Sequence, residues 1–155
     1  MSEKPRERMP TTEMLVKLMN AESFQEFYVE NIDKLQVPKV SQFLAVMCEE
    51  KGIVPNKLFQ EIDIEKSLGH QILSGRRRLT RDNAIKMAFG LGLDITESQR
   101  LLTISKNSQL YPFIPRDAAI LYCLHNKINY RDTQSNLYEW GMTVLGDSKK
   151  HGALL

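Results

Sequence analysis

Apolar residues recur at three- and four-residue intervals along most of this chain. Nowhere do Val, Ile and Thr alternate with polar residues over a useful length, so the pattern predicts helices and no strands. Val40, Phe43, Leu44, Met47 and Cys48 follow the i, i+3, i+4, i+7, i+8 spacing of an amphipathic helix, which Gly52 stops. Leu58 and Ile62 share one face of a short helix, Asp63-Ile64 breaks it, and Leu68 and Ile72 share one face of a second that Gly75 ends. Thr80 can cap a further helix with Asp82 in its first turn and Ile85, Ala88 and Phe89 on its apolar face. Thr96-x-x-Gln99 has the form of a capping box opening a helix with Leu101 and Leu102. Gly90-Leu91-Gly92 lacks the strand and the third glycine of a phosphate-binding loop and falls at a helix end, where it reads as a C-cap. These elements predict a bundle of five helices from Val40 to about Ile104.

The flanking segments extend the same pattern. Met1 to Pro10 is charged, carries two prolines and has nothing to bury, which predicts a disordered tail. Thr11 or Thr12 can cap a helix running through Leu18 and Met19. Ser23-x-x-Glu26 is a second capping-box pattern, and the Phe24, Phe27 and Tyr28 stripe behind it reads as core, with a partner-binding face as the alternative. Tyr111-Pro112-Phe113-Ile114-Pro115 reads as a stiff linker. Ala118 to Leu124 is apolar almost all round and should be buried on more than one side. Asn129 can cap a last helix carrying Leu137 and Trp140, ended by Gly141. The expected organisation is a tail at 1–10, an N-terminal helical extension at 11–36, a bundle at 37–108, a C-terminal helix pair at 109–148 and a frayed tail at 149–155. The pair completes the core or forms a dimer interface, with core favoured.

Ser67, His70, Gln71 and Ser74 form an i, i+3, i+4, i+7 stripe opposite Leu68 and Ile72. It consists of groups that donate and accept hydrogen bonds, without solvating Glu or Lys. Arg76, Arg77, Arg78 and Arg81 follow directly. The chain of 155 residues carries a net charge of only +2, yet Lys66 to Lys86 holds six positive residues against one negative, an excess of five that leaves the remainder acidic by three. A basic face on an otherwise acidic protein steers toward a polyanion. Two short helices, the second with a polar face, suit the major groove, where Gln can pair with adenine and Ser or His can donate or accept. Guanidinium groups beside it would grip phosphate.

The stretch resembles the lambda-repressor-like (Xre-type) helix-turn-helix of bacterial transcriptional regulators, with Leu58, Ile62, Ile64 and Gly75 at the family's offsets. More narrowly, HQILSGRRRLTRDNAIKMAFGLGLDITESQRLL is similar to a group of these regulators through Gln71, Ile72, Gly75, Arg77, Arg81, Asp82, Leu91, Gly92, Leu93, Glu97, Leu101 and Leu102. LYPFIPRDAAILYCL and SNLYEWG extend the likeness, so that it covers about Val40 to Leu145. The resemblance implies an all-α, lambda-repressor-like bundle with added helices at both ends, acting as a sequence-specific regulator on double-stranded DNA. From the polar stripe and the arginine run, base reading is expected of Lys66, Ser67, His70 and Gln71 and phosphate contacts of Ser74, Arg76, Arg77, Arg78 and Arg81, with an ion pair to Asp82 or a helix-end carbonyl as the structural alternative for Arg81. Three positions depart from the family: Phe59 where a small residue is usual, Asp63 where Gly is usual, and Gly69 where an aliphatic is usual. Phe59 and Gly69 would face each other, a large ring opposite an absent side chain. The rival reading is a protein-interaction module on the same fold whose arginines dock an acidic partner.

Other chemistry is thinly represented. Cys48 and Cys123 sit in apolar stripes and read as buried free thiols of a reducing cytosol. His70, His125 and His151 have no zinc-binding spacing, and no nucleophile elbow, P-loop or carboxylate pair appears, so neither enzymatic activity nor a cofactor or metal is expected. The start lacks an apolar secretory stretch and no run is long enough to span a bilayer, so the expectation is a cytoplasmic, nucleoid-associated protein with no membrane partner. A homodimer stays open.

Overall fold

The three- and four-residue periodicity becomes helix throughout. A computed structural model describes residues 11–146; the tails expected at 1–10 and 149–155 lie outside the described residues. The described chain is all-α, with no strand. Its helices are α1 (Thr11–Asn20), α2 (Phe24–Asn31), α3 (Val40–Lys51), α4 (Pro55–Glu61), α5 (Lys66–Leu73), α6 (Arg81–Gly90), α7 (Ile95–Ile104), α8 (Pro115–His125) and α9 (Tyr130–Glu139). Two compact units divide at Val37 and Pro38.

The first unit is the α1–α2 hairpin. Ser23 caps α2 by accepting from the Glu26 N–H at 3.1 Å, while Glu26 makes no return bond among the described residues, so only half of the capping box forms. Phe27 is buried and the Asn31 side chain donates to its carbonyl at 2.9 Å. Phe24 and Tyr28 are 65% and 45% exposed, which corrects the expectation of a core stripe. Helices of ten and eight residues that bury one ring between them lack the apolar area to close a core of their own.

The second unit holds α3 to α9 around one hydrophobic cluster that runs from Leu44 and Leu58 through Met87, Leu101 and Leu102 to Ile120 and Leu137. Each such side chain withdrawn from water contributes about 1.5–3 kcal/mol. The C-terminal pair belongs to this cluster: Ile120, Leu124, Tyr130 and Leu137 are all in it. The pair lies in the same compact unit as the bundle and is core, the alternative that was favoured. Tyr122 faces out, so α8 is buried on one broad side only, through Ile120, Cys123 and Leu124.

Caps place the helix starts. Thr80 accepts from the Asn83 N–H, and Asn129 from the Asp132 N–H, as expected. The start of α7 lies two residues before the expected Thr96. Asp94 accepts from the Glu97 N–H at 2.7 Å and Glu97 accepts from the Asp94 N–H at 3.0 Å, a complete capping box. The carboxylate outcompetes the hydroxyl because it accepts more strongly and complements the helix N-terminus. Gln99, freed from capping, brackets Leu110 instead, donating to its carbonyl and accepting from its N–H.

Two glycines set the position of α4. A Cβ on Gly69 would lie 2.6 Å from three carbons of the Phe59 ring, which bears out the facing pair; one on Gly90 would collide with Leu58 Cδ1 and Ile62 Cγ2. Gly90 is thus a packing residue of α6 against α4. The helix-ending turn expected of the Gly90-Leu91-Gly92 run falls to Gly92, at φ +62°.

Candidate nucleic-acid interface

Burial of Ile72 and the close approach at Gly69 press one side of α5 onto α3 and α4. Lys66, Ser67, His70 and Ser74 are exposed on the other side and Gln71 is half-buried at its edge. Eight residues make a rod about 12 Å long, comparable to the width of a major groove. Gly75 then turns the chain at φ +82°, and the Arg76 and Arg77 N–H groups both donate to the Gln71 carbonyl, at 2.9 and 3.1 Å. At the far end of the loop, Leu79 is buried in the core and its carbonyl accepts from the Asn107 side chain at 3.0 Å. Arg76, Arg77 and Arg78 are exposed on a backbone pinned at both ends, and they and Lys66 form no ion pair among the described residues. A pinned loop loses less conformational freedom when it binds.

His70 is held more firmly than a free surface residue. Its ring meets the buried Phe59 edge-on with centroids 5.3 Å apart, and Nε2 lies 2.7 Å from Asn56 Oδ1 on α4. A neutral ring that donates Nε2–H to this amide oxygen has Nδ1 as its acceptor. Ser74 Oγ donates to the Gln71 carbonyl at 3.1 Å, leaving its lone pairs outward.

Arg81, expected to contact phosphate, is bonded within the protein instead. Its Nε donates to the Ser108 carbonyl, one terminal nitrogen to Asp117 Oδ1, and the other to both Asp117 Oδ2 and the Gln109 carbonyl, all within 2.9–3.1 Å. Four of its five N–H groups are committed. The partner is Asp117, 36 residues away, and neither the expected Asp82 nor a helix-end carbonyl. Asp82 pairs instead with Arg116, at 3.1 and 3.0 Å, and accepts the Gly146 N–H at 2.9 Å. Two Arg-Asp dipeptides, 81–82 at the start of α6 and 116–117 at the start of α8, are thus cross-paired. Burial works against the ionised Asp82 carboxyl, but the bonds from Arg116 and Gly146 and the charges of Arg116 and Arg81 outweigh it and hold it below the usual carboxylate range.

Lys86 also leaves the basic face. It is 7% exposed, donates to the Asp63 carbonyl at 3.1 Å and lies 5.8 Å from the Tyr130 ring centroid. Burial pulls its ammonium below the ordinary range against the opposing charges of Asp63 and Asp82. The exposed cluster is therefore Lys66 with Arg76, Arg77 and Arg78. Asp63, which stands where the resembled family has Gly, adopts φ +54° in the turn between α4 and α5, and its carboxylate accepts from the Tyr130 hydroxyl at 3.1 Å. Burial pushes that phenol up to about 12, with Gln134 opposing and the Asp63 carboxylate adding to the shift. The turn that sets the angle between α4 and α5 is thus tied to α6 and α9.

Sequence reasoning missed Leu79, Arg116, Asp117 and Tyr130. The repeated Arg-Asp dipeptide was the available signal for the second and third; the others depend on which distant elements meet. Among the described residues no group of three or more His, Cys, Asp or Glu side chains gathers as a metal site, and no helix is long and apolar enough to cross a membrane. Cys48 and Cys123 are buried free thiols whose ionisation burial pushes up. No protein-family profile, curated protein sequence or solved structure matches this chain.

Proposed function

We propose that this protein is a sequence-specific regulator of the lambda-repressor-like, Xre type that binds double-stranded DNA with α5 in the major groove. One observation carries the reading: a hydrogen-bonding helix face, free of carboxylates, runs into three exposed arginines that have no ion-pair partner among the described residues. Lys66, Ser67, His70 and Gln71 would meet base edges, and Ser74, Arg76, Arg77 and Arg78 would hold phosphates. The tie between His70 and Asn56 narrows its role: a ring with Nδ1 as acceptor selects an exocyclic amine, on adenine or cytosine, in the groove. Such a protein would act in the cytoplasm, at the nucleoid.

Selection from a random duplex pool at two salt concentrations tests the reading. Enrichment of a motif that survives the higher salt is the expected result. Retention without a motif, or no retention, transfers the arginines to an acidic protein partner.

A further inference from the structure

Resting on the DNA reading above, we propose that Tyr130 on α9 is a positioning residue for base reading: through the Asp63 carboxylate it fixes the turn from which α5 starts, and with it the seat of the reading face. The turn needs a left-handed residue, and Asp63 supplies it at φ +54°. A side chain makes that conformation costly, whereas glycine adopts it freely. Asp63 therefore carries a backbone cost, and the bond to its carboxylate offsets it. The carboxylate accepts from the Tyr130 hydroxyl at 3.1 Å, while the Asp63 carbonyl accepts from Lys86 Nζ at 3.1 Å. One turn residue is thus held by its side chain from α9 and by its backbone from α6. Lys66, the first residue of α5, follows three positions later.

The direction of the Tyr130 hydroxyl follows from its neighbours. Gln134 brackets Leu145: its Oε1 accepts from the Leu145 N–H at 2.7 Å, and its Nε2 donates to the Leu145 carbonyl at 2.9 Å. The bracket orients the amide, so the nitrogen that lies 3.0 Å from the Tyr130 oxygen can only donate to it. The hydroxyl proton is left for Asp63 Oδ2. Tyr130 is 5% exposed, so it reaches no base or phosphate itself. Whatever its hydroxyl does for base reading passes through Asp63. The rest of the α5 seat is fixed separately, by Phe59 against Gly69 and by Leu79 in the core, which leaves the turn as the end that Tyr130 governs.

Three variants separate the tie from the charge. Asp63→Gly and Asp63→Asn remove the same charge, but only Asn keeps an oxygen that accepts from Tyr130 while tolerating the left-handed region. Tyr130→Phe removes the hydroxyl alone. Amide hydrogen exchange of the full chain without DNA is the first readout. Relative to α7 in the same molecule, Asp63→Gly and Tyr130→Phe should speed exchange in α5 by roughly three- to tenfold, the loss of one hydrogen bond, with Asp63→Asn near wild type. Binding to the selected and to a scrambled duplex is the second. The ratio of the two affinities should fall by a similar factor in Asp63→Gly and Tyr130→Phe and hold in Asp63→Asn. Thermal unfolding of Asp63→Gly should stay close to wild type, because the relaxed backbone offsets the lost bond. A bond that served stability alone would lower the melting temperature and leave the ratio untouched. The proposal is overturned when Asp63→Gly and Asp63→Asn behave alike in both readouts, or when α5 loosens and the ratio holds. A wild-type chain with no preferred duplex removes base reading itself, a result distinct from unaltered exchange, which removes the hold of Tyr130 on α5.

Discussion

A Cβ at Gly69 would stand 2.6 Å from three carbons of a ring that is 1% exposed, closer than real contacts allow, and a buried ring has nowhere to swing. Gly69→Ala should therefore destabilise by about 1–3 kcal/mol through overpacking, although helix propensity alone favours Ala by about 1 kcal/mol. Phe59→Ala should cost about 3–5 kcal/mol. The double change Phe59→Ala with Gly69→Ile should recover much of the loss, as a double-mutant cycle in urea would measure; additive costs would mean that the two sites do not share one volume. This pair was legible in the sequence because both positions depart from the same pattern in opposite senses. Gly90 was not, because a glycine near a helix end reads as a cap whatever packs on it. Lys86 was counted with the basic face because composition assigns it a charge but no direction. Its burial depends on Asp63 and Tyr130 arriving from α4's end and α9, contacts that local periodicity does not encode.

Between elements, the crossed Arg-Asp pairs hold the start of α6 against the start of α8, and each also secures a distant strand of backbone. Arg81 binds the Ser108 and Gln109 carbonyls, and Arg116 those of Thr143 and Val144. Asp117 is 2% exposed, so removing Arg81 strands a buried carboxylate that keeps only the Tyr111 N–H. Arg81→Ala should cost about 3–5 kcal/mol, whereas Arg77→Ala, on the exposed loop, should stay within about 0.5 kcal/mol by chemical denaturation. Equal costs would contradict the separation of clasp from loop. Asp82 adds a pH signature. Its folded carboxyl is held below the unfolded value near 3.9, so its contribution is complete above that range and is lost as pH falls through the folded value. Asp82→Asn should therefore destabilise near neutrality by about 1–3 kcal/mol and flatten the acid limb of the stability curve; an unchanged acid limb would remove Asp82 from the linkage. The helices themselves were readable from spacing and caps, apart from the start of α7, where Asp94 sat two residues upstream of the hydroxyl that the Thr96-x-x-Gln99 pattern favoured. The clasp was not, because both of its bonds span more than thirty residues.

For the whole molecule, the proposed DNA reading gives holding and reading to different residues, and one experiment separates them. Phosphate contacts release counterions and carry no sequence information, whereas base contacts specify. Arg76→Ala, Arg77→Ala and Arg78→Ala should weaken selected and scrambled duplex alike, and each residue that touches phosphate should reduce the log–log salt slope by about 0.9–1. Gln71→Ala should leave the slope nearly unchanged and cost about 1–3 kcal/mol on the selected site alone, relaxing preference at one base pair. Arg81 supplies the control that the sequence could not: its guanidinium is committed to Asp117 and two carbonyls, so a folded Arg81→Lys variant should keep the wild-type slope while losing stability. Asn56→Ala tests the reading face from behind. Freeing His70 Nε2 leaves the ring's tautomer unfixed, so discrimination at the base pair it meets should fall while non-specific affinity holds. Binding of each variant to both duplexes across a salt series decides among these. Equal loss on both duplexes for Gln71→Ala would take α5 out of base reading. Arginine changes that never alter the slope would turn the pinned loop toward an acidic protein.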